Sequence, residues 1–369
     1  MLNRSIKGKA LCSIFAGIGI LLIILGFFGL KTISENVKIS SELFENLIRA
    51  WSLPALILGC LTLAGSFILG NRYVLGSTRL ANYLPYLFIV PAMVFLIIFV
   101  IYPMFNLIYL SLFQGNVMRP TKAFVGLKNY HSIFFVKQDF LVALANTAVY
   151  TGSVVVLLIF FAIIFALWMY KDKRINRFSQ TALFTPHLIA AVSTAFIWSW
   201  IMDQNSYGLL NSVLKSLGLP MLRWLESTDT AMMSIVIVNV WKSIGYYALI
   251  VLSAMKSIPT EIYEAAELDN TKPLKRFFKI TLPLLSPQLF FLLITITIGS
   301  FKVFDSINIM TAGGPGTSTE VISRYIYEYA FIRSNTLGMG SAAGVVMMLI
   351  LILLTLVYFR GLENKVHYQ

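Results

Sequence analysis

The chain has 369 residues, of which 58% are hydrophobic and only 12% are charged. This composition, with a mean hydropathy of +0.79, excludes an ordinary soluble domain and predicts an all-α integral membrane protein. The 29 Lys and Arg residues outnumber 16 Asp and Glu residues. We interpret this excess as the basic residues that flank the cytoplasmic ends of membrane spans, and not as a nucleic-acid-binding surface.

Eight segments are long and apolar enough to cross a bilayer as helices. They are residues 11–30, 53–70, 85–112, 142–170, 181–202, 231–255, 287–309 and 339–359. The first lacks a small-residue cleavage site, so it is interpreted as a retained span and not as a signal peptide. More than half of the basic residues fall in five short segments on one side of the predicted membrane. This asymmetry predicts a multi-pass protein of the cell membrane with both termini in the cytoplasm.

The spans divide the chain into two predicted parts. Residues 1–80 form an N-terminal transmembrane hairpin, and residues 81–369 form a six-span domain. In the first span of that domain, Pro91 and Pro103 are expected to bend the helix unless neighbouring groups satisfy the freed carbonyls.

A charged segment at about 256–286 separates two spans and lies on the predicted cytoplasmic side. Thr260 is a plausible N-cap for a short helix, and Ala265–Ala266 give that helix a narrow surface for close approach. Asn270 suits the left-handed position that ends a helix, and Pro283 is expected to stop a second helix. On these grounds alone the segment is either a docking surface or an ordinary solvated loop.

The same segment resembles the EAA loop of ATP-binding-cassette (ABC) importer permeases. The matching residues are Glu264, Ala265, Ala266, Ile280, Leu282 and Pro283, while Asn270 stands where the family has glycine. Asn can adopt the same backbone conformation at modest cost, so the turn after Asp269 should be preserved. The resemblance implies that Glu264 to Pro283 form the helix that couples the permease to a cytoplasmic ATPase subunit.

Three further segments resemble carbohydrate permeases of this class. They are Phe124–Tyr130 (F-x-G-L-x-N-Y), Phe304–Asp305 followed by Thr311–Gly316 (F-D…T-x-G-G-P), and Tyr325–Phe331 (Y-x-Y-x-x-A-F). The resemblance covers about residues 85–360. It implies a six-helix type I importer core, to which the N-terminal hairpin is an addition. It also implies four kinds of partner: a second homologous permease, two ATPase subunits that bind ATP and Mg, an extracytoplasmic solute-binding protein, and membrane lipid.

Two spans carry polar and aromatic residues that suit a substrate path. In the sixth span, Asn239, Ser243 and Tyr246 fall on one helical face, with Tyr247 beside them. In the seventh, Phe301, Phe304 and Asn308 repeat that spacing. Aromatic rings, amides and hydroxyls suit sugars, but such groups also join helices inside bundles, so both roles stay open. Whether Lys242, Lys302 and Asp305 contact substrate is also left open, because an ion pair or a headgroup contact would explain them equally well.

These features together predict a permease subunit of an ABC importer for a carbohydrate, with an oligosaccharide as the expected solute. The alternatives are a glycerol-phosphodiester or polyol permease of the same class, or an ion-coupled secondary transporter. Cys12, Cys60 and the three histidines show no ligand spacing, and no catalytic motif or phosphate-binding loop occurs. We therefore expect no enzyme activity, metal or cofactor in this chain, and ATP hydrolysis on a separate one.

Overall fold

A computed structural model describes residues 84–171 and 173–362, with isolated positions between 17 and 65. The predicted spans at 11–30 and 53–70, the hairpin at 1–80 and both chain ends therefore lie outside the described residues. By its contacts the chain forms two compact units, Met1–Met104 and Phe105–Gln369. The description below concerns mainly the second.

The described part is helical apart from one small hairpin. The first elements are α1 (Leu84–Leu96), α2 (Tyr102–Ser111), β1 (Phe113–Gln114), β2 (Ala123–Phe124), α3 (Lys128–His131) and α4 (Asp139–Met169). They are followed by α5 (Arg174–Leu188), α6 (Ala191–Ile201), α7 (Leu209–Ser216), α8 (Ala231–Lys256), α9 (Thr260–Leu268) and α10 (Pro273–Arg276). The last are α11 (Leu282–Leu284), α12 (Ser286–Phe301), α13 (Asp305–Met310), α14 (Ile322–Tyr327) and α15 (Leu337–Leu362). Antiparallel β1 and β2 pair Phe113 with Phe124.

Helix α4 is the centre of the helical bundle. Tyr150, Val154, Leu158 and Ala162 recur every four residues along it and are almost completely buried, because this spacing lines one face of a helix. Helices α8 and α12 pack against α4. Within the described residues, five helices are long and apolar enough to cross a membrane, or six if one bent pair counts as a single span.

That bent pair corrects the predicted span at 181–202. The chain forms α5 and α6, which meet at an angle of 99°. Pro186, in the last turn of α5, has no backbone N–H for a helical hydrogen bond, and the C-cap residue Ile189 is extended. The apolar composition of the segment was recognised correctly, but the prediction of a single straight helix was wrong.

The predicted span at 287–309 is also interrupted. Helix α12 ends at Phe301 and α13 begins at Asp305, so residues 302–304 are not helical. The Ser323 hydroxyl donates to the carbonyl oxygen of Phe301 at 3.2 Å, which satisfies one acceptor that the break leaves free. Phe301, Phe304 and Asn308 therefore do not form the single helical face that their spacing predicted.

Two prolines follow widened, π-helical turns. Residues Ile97–Ile101 precede Pro103 in this way, and Phe277–Thr281 precede Pro283. A proline ring collides with the carbonyl four residues earlier in a regular α-helix, and a wider turn gives that ring room. Helical backbone thus continues from Pro273 to Leu284, and the prediction that Pro283 stops this helix was wrong.

The segment between α6 and α8 includes the short helix α7. Its connecting loops fold around the side chain of Asn211, which lies in α7 and is completely buried. Its amide nitrogen donates to the carbonyl oxygens of Asp203, Gln204 and Leu222 at 2.9–3.0 Å. Its amide oxygen accepts from the Leu222 N–H and the Trp224 indole. One polar side chain thereby replaces the backbone pairing that this irregular loop lacks.

The loop between α13 and α14 closes over an ion pair. Gly313 has φ +84°, and a Cβ there would overlap the carboxylate of Glu320. Glu320 pairs with Arg324, and Asn146 of α4 donates to the Glu320 carbonyl at 3.0 Å. Burial raises the pKa of the Glu320 carboxyl, and the Arg324 guanidinium opposes that rise. The Gly-Gly-Pro sequence therefore allows the carboxylate of Glu320 to approach the backbone at Gly313, in addition to forming a turn.

Candidate functional site

The polar segment between α8 and α12 forms the predicted helix–turn–helix. Helix α9 ends in a Schellman motif, in which the Asn270 N–H donates to Glu267 and the Thr271 N–H donates to Ala266. Asn270 has φ +51°. The prediction that Asn270 takes the left-handed position where the family has glycine is confirmed.

The exposed surface of this segment differs from the predicted one in two respects. Ala265 is exposed but Ala266 is buried, so only the first alanine is available for close approach. Thr260 is the first residue of α9 and makes no capping hydrogen bond, because Pro259 holds the N-cap position. Leu268 and Leu274, on either side of the turn, are 90% and 74% exposed. The tip of the segment thus exposes two leucines among polar and charged residues, which include Asp269 and Lys272, and Glu264 is exposed beside it.

Contacts behind the tip join α9 to the second helix of the segment, and Ile262 and Tyr263 of α9 pack against the core of the bundle. The hydroxyls of Tyr263 and Thr281 lie 3.2 Å apart, and Glu267 pairs with Arg276 at 2.7 Å. A cavity of about 400 Å³ lies behind α9, lined also by Leu167 at the end of α4. Ile280 and Leu282 are half-buried on the second helix. The segment is therefore a folded projection fixed to the ends of two long helices, and not a loose loop.

A second cavity, called here the central cavity, has a volume of about 270 Å³ and lies between α4, α8 and the α12–α13 break. Its polar and aromatic lining consists of Tyr150, Asn239, Ser243, Tyr247, Ser300, Lys302, Phe304, Asp305 and Ser306. Asn239 reaches Ser306 across the cavity at 3.5 Å. Within the described residues no ion pair joins Lys302 to Asp305. Lys302 and Asp305 therefore both line the cavity without pairing with each other, and their formal charges sum to zero.

The structure brings together four of the seven predicted path residues: Asn239, Ser243, Tyr247 and Phe304. Phe301 is buried, and Asn308 lies outside the cavity. Tyr150, Ser300 and Ser306 were not predicted from the sequence as residues of this site. Tyr150 lies on α4, where a polar group inside an apolar run was the available signal.

Tyr246 and Lys242 both contact the bend between α5 and α6. The Tyr246 ring stacks on His187 with centroids 4.5 Å apart. The Lys242 ammonium donates to the carbonyl oxygens of His187 and Ile189. A cation at these carbonyls satisfies acceptors that the end of α5 leaves free. Lys242 therefore caps a broken helix, and Tyr246 packs beside it.

Residues 158–368, more than half of the chain, match the family described as the binding-protein-dependent transport system inner membrane component. The chain belongs to this family. It is 37% identical to the "Probable ABC transporter permease protein YurN" of Bacillus subtilis, over 75% of this chain and 95% of that protein. It is 33% identical to the sn-glycerol-3-phosphate transport system permease protein UgpA of Salmonella typhimurium, over 78% and 97%. With the trehalose/maltose transport system permease protein MalF of Thermococcus litoralis it shares 32% identity, over 75% and 92%.

Solved structures show the same fold. A bacterial alginate ABC transporter in complex with an alginate pentasaccharide-bound periplasmic protein has a chain that superposes with a TM-score of 0.68 at 23% identity. That match covers 77% of this chain and 95% of the other. A second structure, of an ABC transporter involved in import of the acidic polysaccharide alginate, gives a TM-score of 0.66 at 25% identity, over 76% and 96%. This family member is therefore a multi-pass permease subunit of an ABC transport system.

Proposed function

We propose that this permease forms, with a second homologous permease, the membrane path of an ATP-driven carbohydrate importer. The observation that carries the proposal is the fixed projection at α9, whose tip exposes Leu268 and Leu274 beside Glu264. Two exposed leucines on a projection that also carries charged residues suit insertion into a cleft of another protein. We assign that cleft to a cytoplasmic ATPase subunit, two of which would bind ATP and Mg. The predicted eight spans, the N-terminal hairpin at 1–80 and the six-span domain at 81–369 belong to the same proposal.

The central cavity supports a neutral carbohydrate as the solute. Tyr247 and Phe304 offer ring faces for C–H groups, while Asn239 and Ser243 offer hydrogen bonds to hydroxyls. Lys302 and Asp305 contribute opposite charges, so the lining carries no net formal charge. An anionic solute would favour an excess of basic groups. The cavity thus favours an oligosaccharide over the glycerol-phosphodiester alternative, and membership of a binding-protein-dependent family excludes the ion-coupled secondary transporter.

Transport would follow alternating access. Closure of the two ATPase subunits would move α9, and α8 and α12 would move with it because they flank the segment directly. An extracytoplasmic binding protein would deliver the solute to the outward-open state, so that differential binding between the two states drives the cycle. The chain itself would supply no catalytic residue, metal or cofactor.

The topology predicts which loops are reached from outside the cell. Cysteines introduced at Ser40, Lys128 and the exposed Thr317 should react with an impermeant maleimide in intact cells, whereas Lys173→Cys should react only after permeabilisation. The reason is that the basic residues near Lys173 favour the cytoplasm. Labelling of Lys173→Cys in intact cells would invert the proposed orientation.

Asn239→Leu should lower uptake severalfold without loss of the assembled complex. The change removes an amide that lines the central cavity and keeps the number of side-chain heavy atoms. Leaving a polar solute with one unmet hydrogen bond costs about 1–3 kcal/mol. Uptake of radiolabelled sugar into proteoliposomes measures the effect. Asn308→Leu, on the same bundle but outside the cavity, is the matched control, and equal effects of the two variants would argue against the path assignment.

The function as a whole is tested by ATPase stimulation. The purified complex should hydrolyse ATP faster when the cognate binding protein is loaded with a neutral oligosaccharide than when that protein is empty. Stimulation by a glycerol phosphodiester and by no neutral sugar would reverse the choice of solute. No stimulation by any loaded binding protein would contradict the importer proposal.

A further inference from the structure

The segment between α2 and α4 (residues 113–136, called here the hairpin segment) is firmly held on its inner side. The Asn129 amide nitrogen donates to the carbonyl oxygens of Ser111 and Phe113 at 2.8 and 2.9 Å. The Tyr130 hydroxyl lies 2.7 Å from the Ser111 hydroxyl, and Ile133 is completely buried. Its position is therefore fixed by the bundle and does not depend on any further contact.

The other side of the hairpin segment is apolar and exposed. The exposed apolar residues are Val117, Met118, Phe124, Leu127, Phe135 and Val136. Met118 is 92% exposed and Phe135 is 80% exposed. A folded segment that presents so much apolar surface marks a place where lipid or another molecule binds.

The length of α4 puts the hairpin segment at headgroup depth. Helix α4 has 31 residues, so it is about 46 Å long at 1.5 Å per residue. A bilayer with its headgroups is about 40–45 Å thick. One end of α4 leads towards α9, and the other begins at Asp139, three residues after the hairpin segment ends. A helix of this length reaches from one headgroup layer to the other, so the hairpin segment, next to the Asp139 end of α4, lies at the level of the headgroups.

The charges of the hairpin segment are those of a lipid-binding surface. From residue 112 to residue 138 the sequence contains no Asp or Glu. Arg119, Lys122 and Lys128 are exposed among the apolar side chains. Interleaved apolar and basic residues at a membrane surface bind both the acyl boundary and anionic headgroups.

An aromatic row joins this surface to a membrane span. Tyr109, in the last turn of α2, is 52% exposed. Its ring lies 4.7 Å from Phe113, and Phe113 lies 5.3 Å from Phe124, between ring centroids. The exposed face of α2 thus continues without interruption onto the hairpin segment. A surface continuous with an exposed, apolar candidate membrane span is favoured to face lipid itself.

We propose that the hairpin segment is an interfacial anchor that lies in the headgroup layer and binds anionic phospholipid. Phe124 and Leu127 enter the acyl boundary, and Arg119, Lys122 and Lys128 bind lipid phosphates. The Phe124–Tyr130 motif is explained by this division. Phe124 and Leu127 point outward, Asn129 and Tyr130 attach the motif to the bundle, and Gly126 allows the turn between them at φ +54°. The inference does not depend on which solute is carried.

Depth measurements on the assembled transporter test the anchor. In a Cys12→Ser, Cys60→Ser background, nitroxide labels are placed at Phe135→Cys and Met118→Cys, with Thr228→Cys as an aqueous control and Val156→Cys as a mid-helix control. In nanodiscs, the ratio of oxygen to nickel accessibility at residues 118 and 135 should lie between the two controls. If residues 118 and 135 instead show the same ratio as residue 228, and become shielded from nickel only when the binding protein is added, the segment docks protein and the proposal is overturned. Protection that requires the second permease would overturn it in favour of a subunit interface.

The lipid preference is tested by charge removal. The triple variant Arg119→Gln, Lys122→Gln, Lys128→Gln should bind spin-labelled phosphatidylglycerol less well, by at least about fivefold, because each surface cation contributes roughly that factor. Binding of phosphatidylcholine should not change. Lys215→Gln, on an exposed helix elsewhere, is the control, and the melting temperature of each variant reports its folding. An unchanged preference for phosphatidylglycerol in a folded triple variant would contradict the proposed role of the three cations.

Discussion

A purified transporter that carries Glu264→Lys should lose most of its transport while the permease itself remains folded. Glu264 is exposed on α9, and an exposed charge contributes little to the stability of the isolated chain. At the proposed ATPase interface the same carboxylate would pair with a basic residue, and breaking such a pair costs about 2–5 kcal/mol. We expect either loss of the ATPase subunits on purification or ATP hydrolysis that no longer responds to the loaded binding protein.

Two variants serve as controls for this experiment. Asn270→Gly should be nearly silent, because glycine adopts the same left-handed conformation that Asn270 adopts at φ +51°. Leu268→Asp should act like Glu264→Lys, since Leu268 is 90% exposed at the tip. Retention of the ATPase subunits together with normal transport in Glu264→Lys would show that α9 is not the docking helix.

Gly245→Val should prevent correct folding of the permease. A Cβ at Gly245 would overlap the carbonyl group of Leu183, because α8 meets the backbone of α5 at this point. Overpacking inside a bundle costs about 1–3 kcal/mol, and a clash with backbone exceeds that range because no side chain can rotate away. The Lys242 cap lies about one turn before Gly245, and the Tyr246–His187 stack involves the very next residue, so both would be displaced. We expect little monodisperse protein by size-exclusion chromatography.

Gly152→Val is the matched control. Gly152 also lies in the middle of a long helix, but a Cβ there would meet nothing within 4 Å in the described part of the chain. Its elution profile and melting temperature should resemble those of the wild type. If both variants gave equally little folded protein, the loss would come from replacing a glycine within a long helix, and the close contact between α5 and α8 would not be its cause.

The sequence by itself determined the class of the protein and the segment that its relatives share. Within the described residues, the apolar segments of bilayer length are helical, although two of them are broken. They could be predicted because length and hydropathy alone decide whether a helix can cross a membrane. The turn at Asn270 followed from local backbone preference, which needs no distant partner. The family followed from short motifs in a fixed order, of which Glu264 to Pro283 is the most specific.

Only the tertiary structure decided where helices break and which polar residues meet. Pro186 favours the end of α5 locally, but the cation that satisfies the carbonyl groups at this break is Lys242, 53 residues away from Ile189 in sequence, and no local pattern could identify it. The break at residues 302–304 changed which side chains face the central cavity, because a helical face persists only while the helix does. The local sequence around Asn211 in α7 likewise gives no sign of its structural role. Its role comes from five hydrogen bonds to atoms that only the folded chain brings around it.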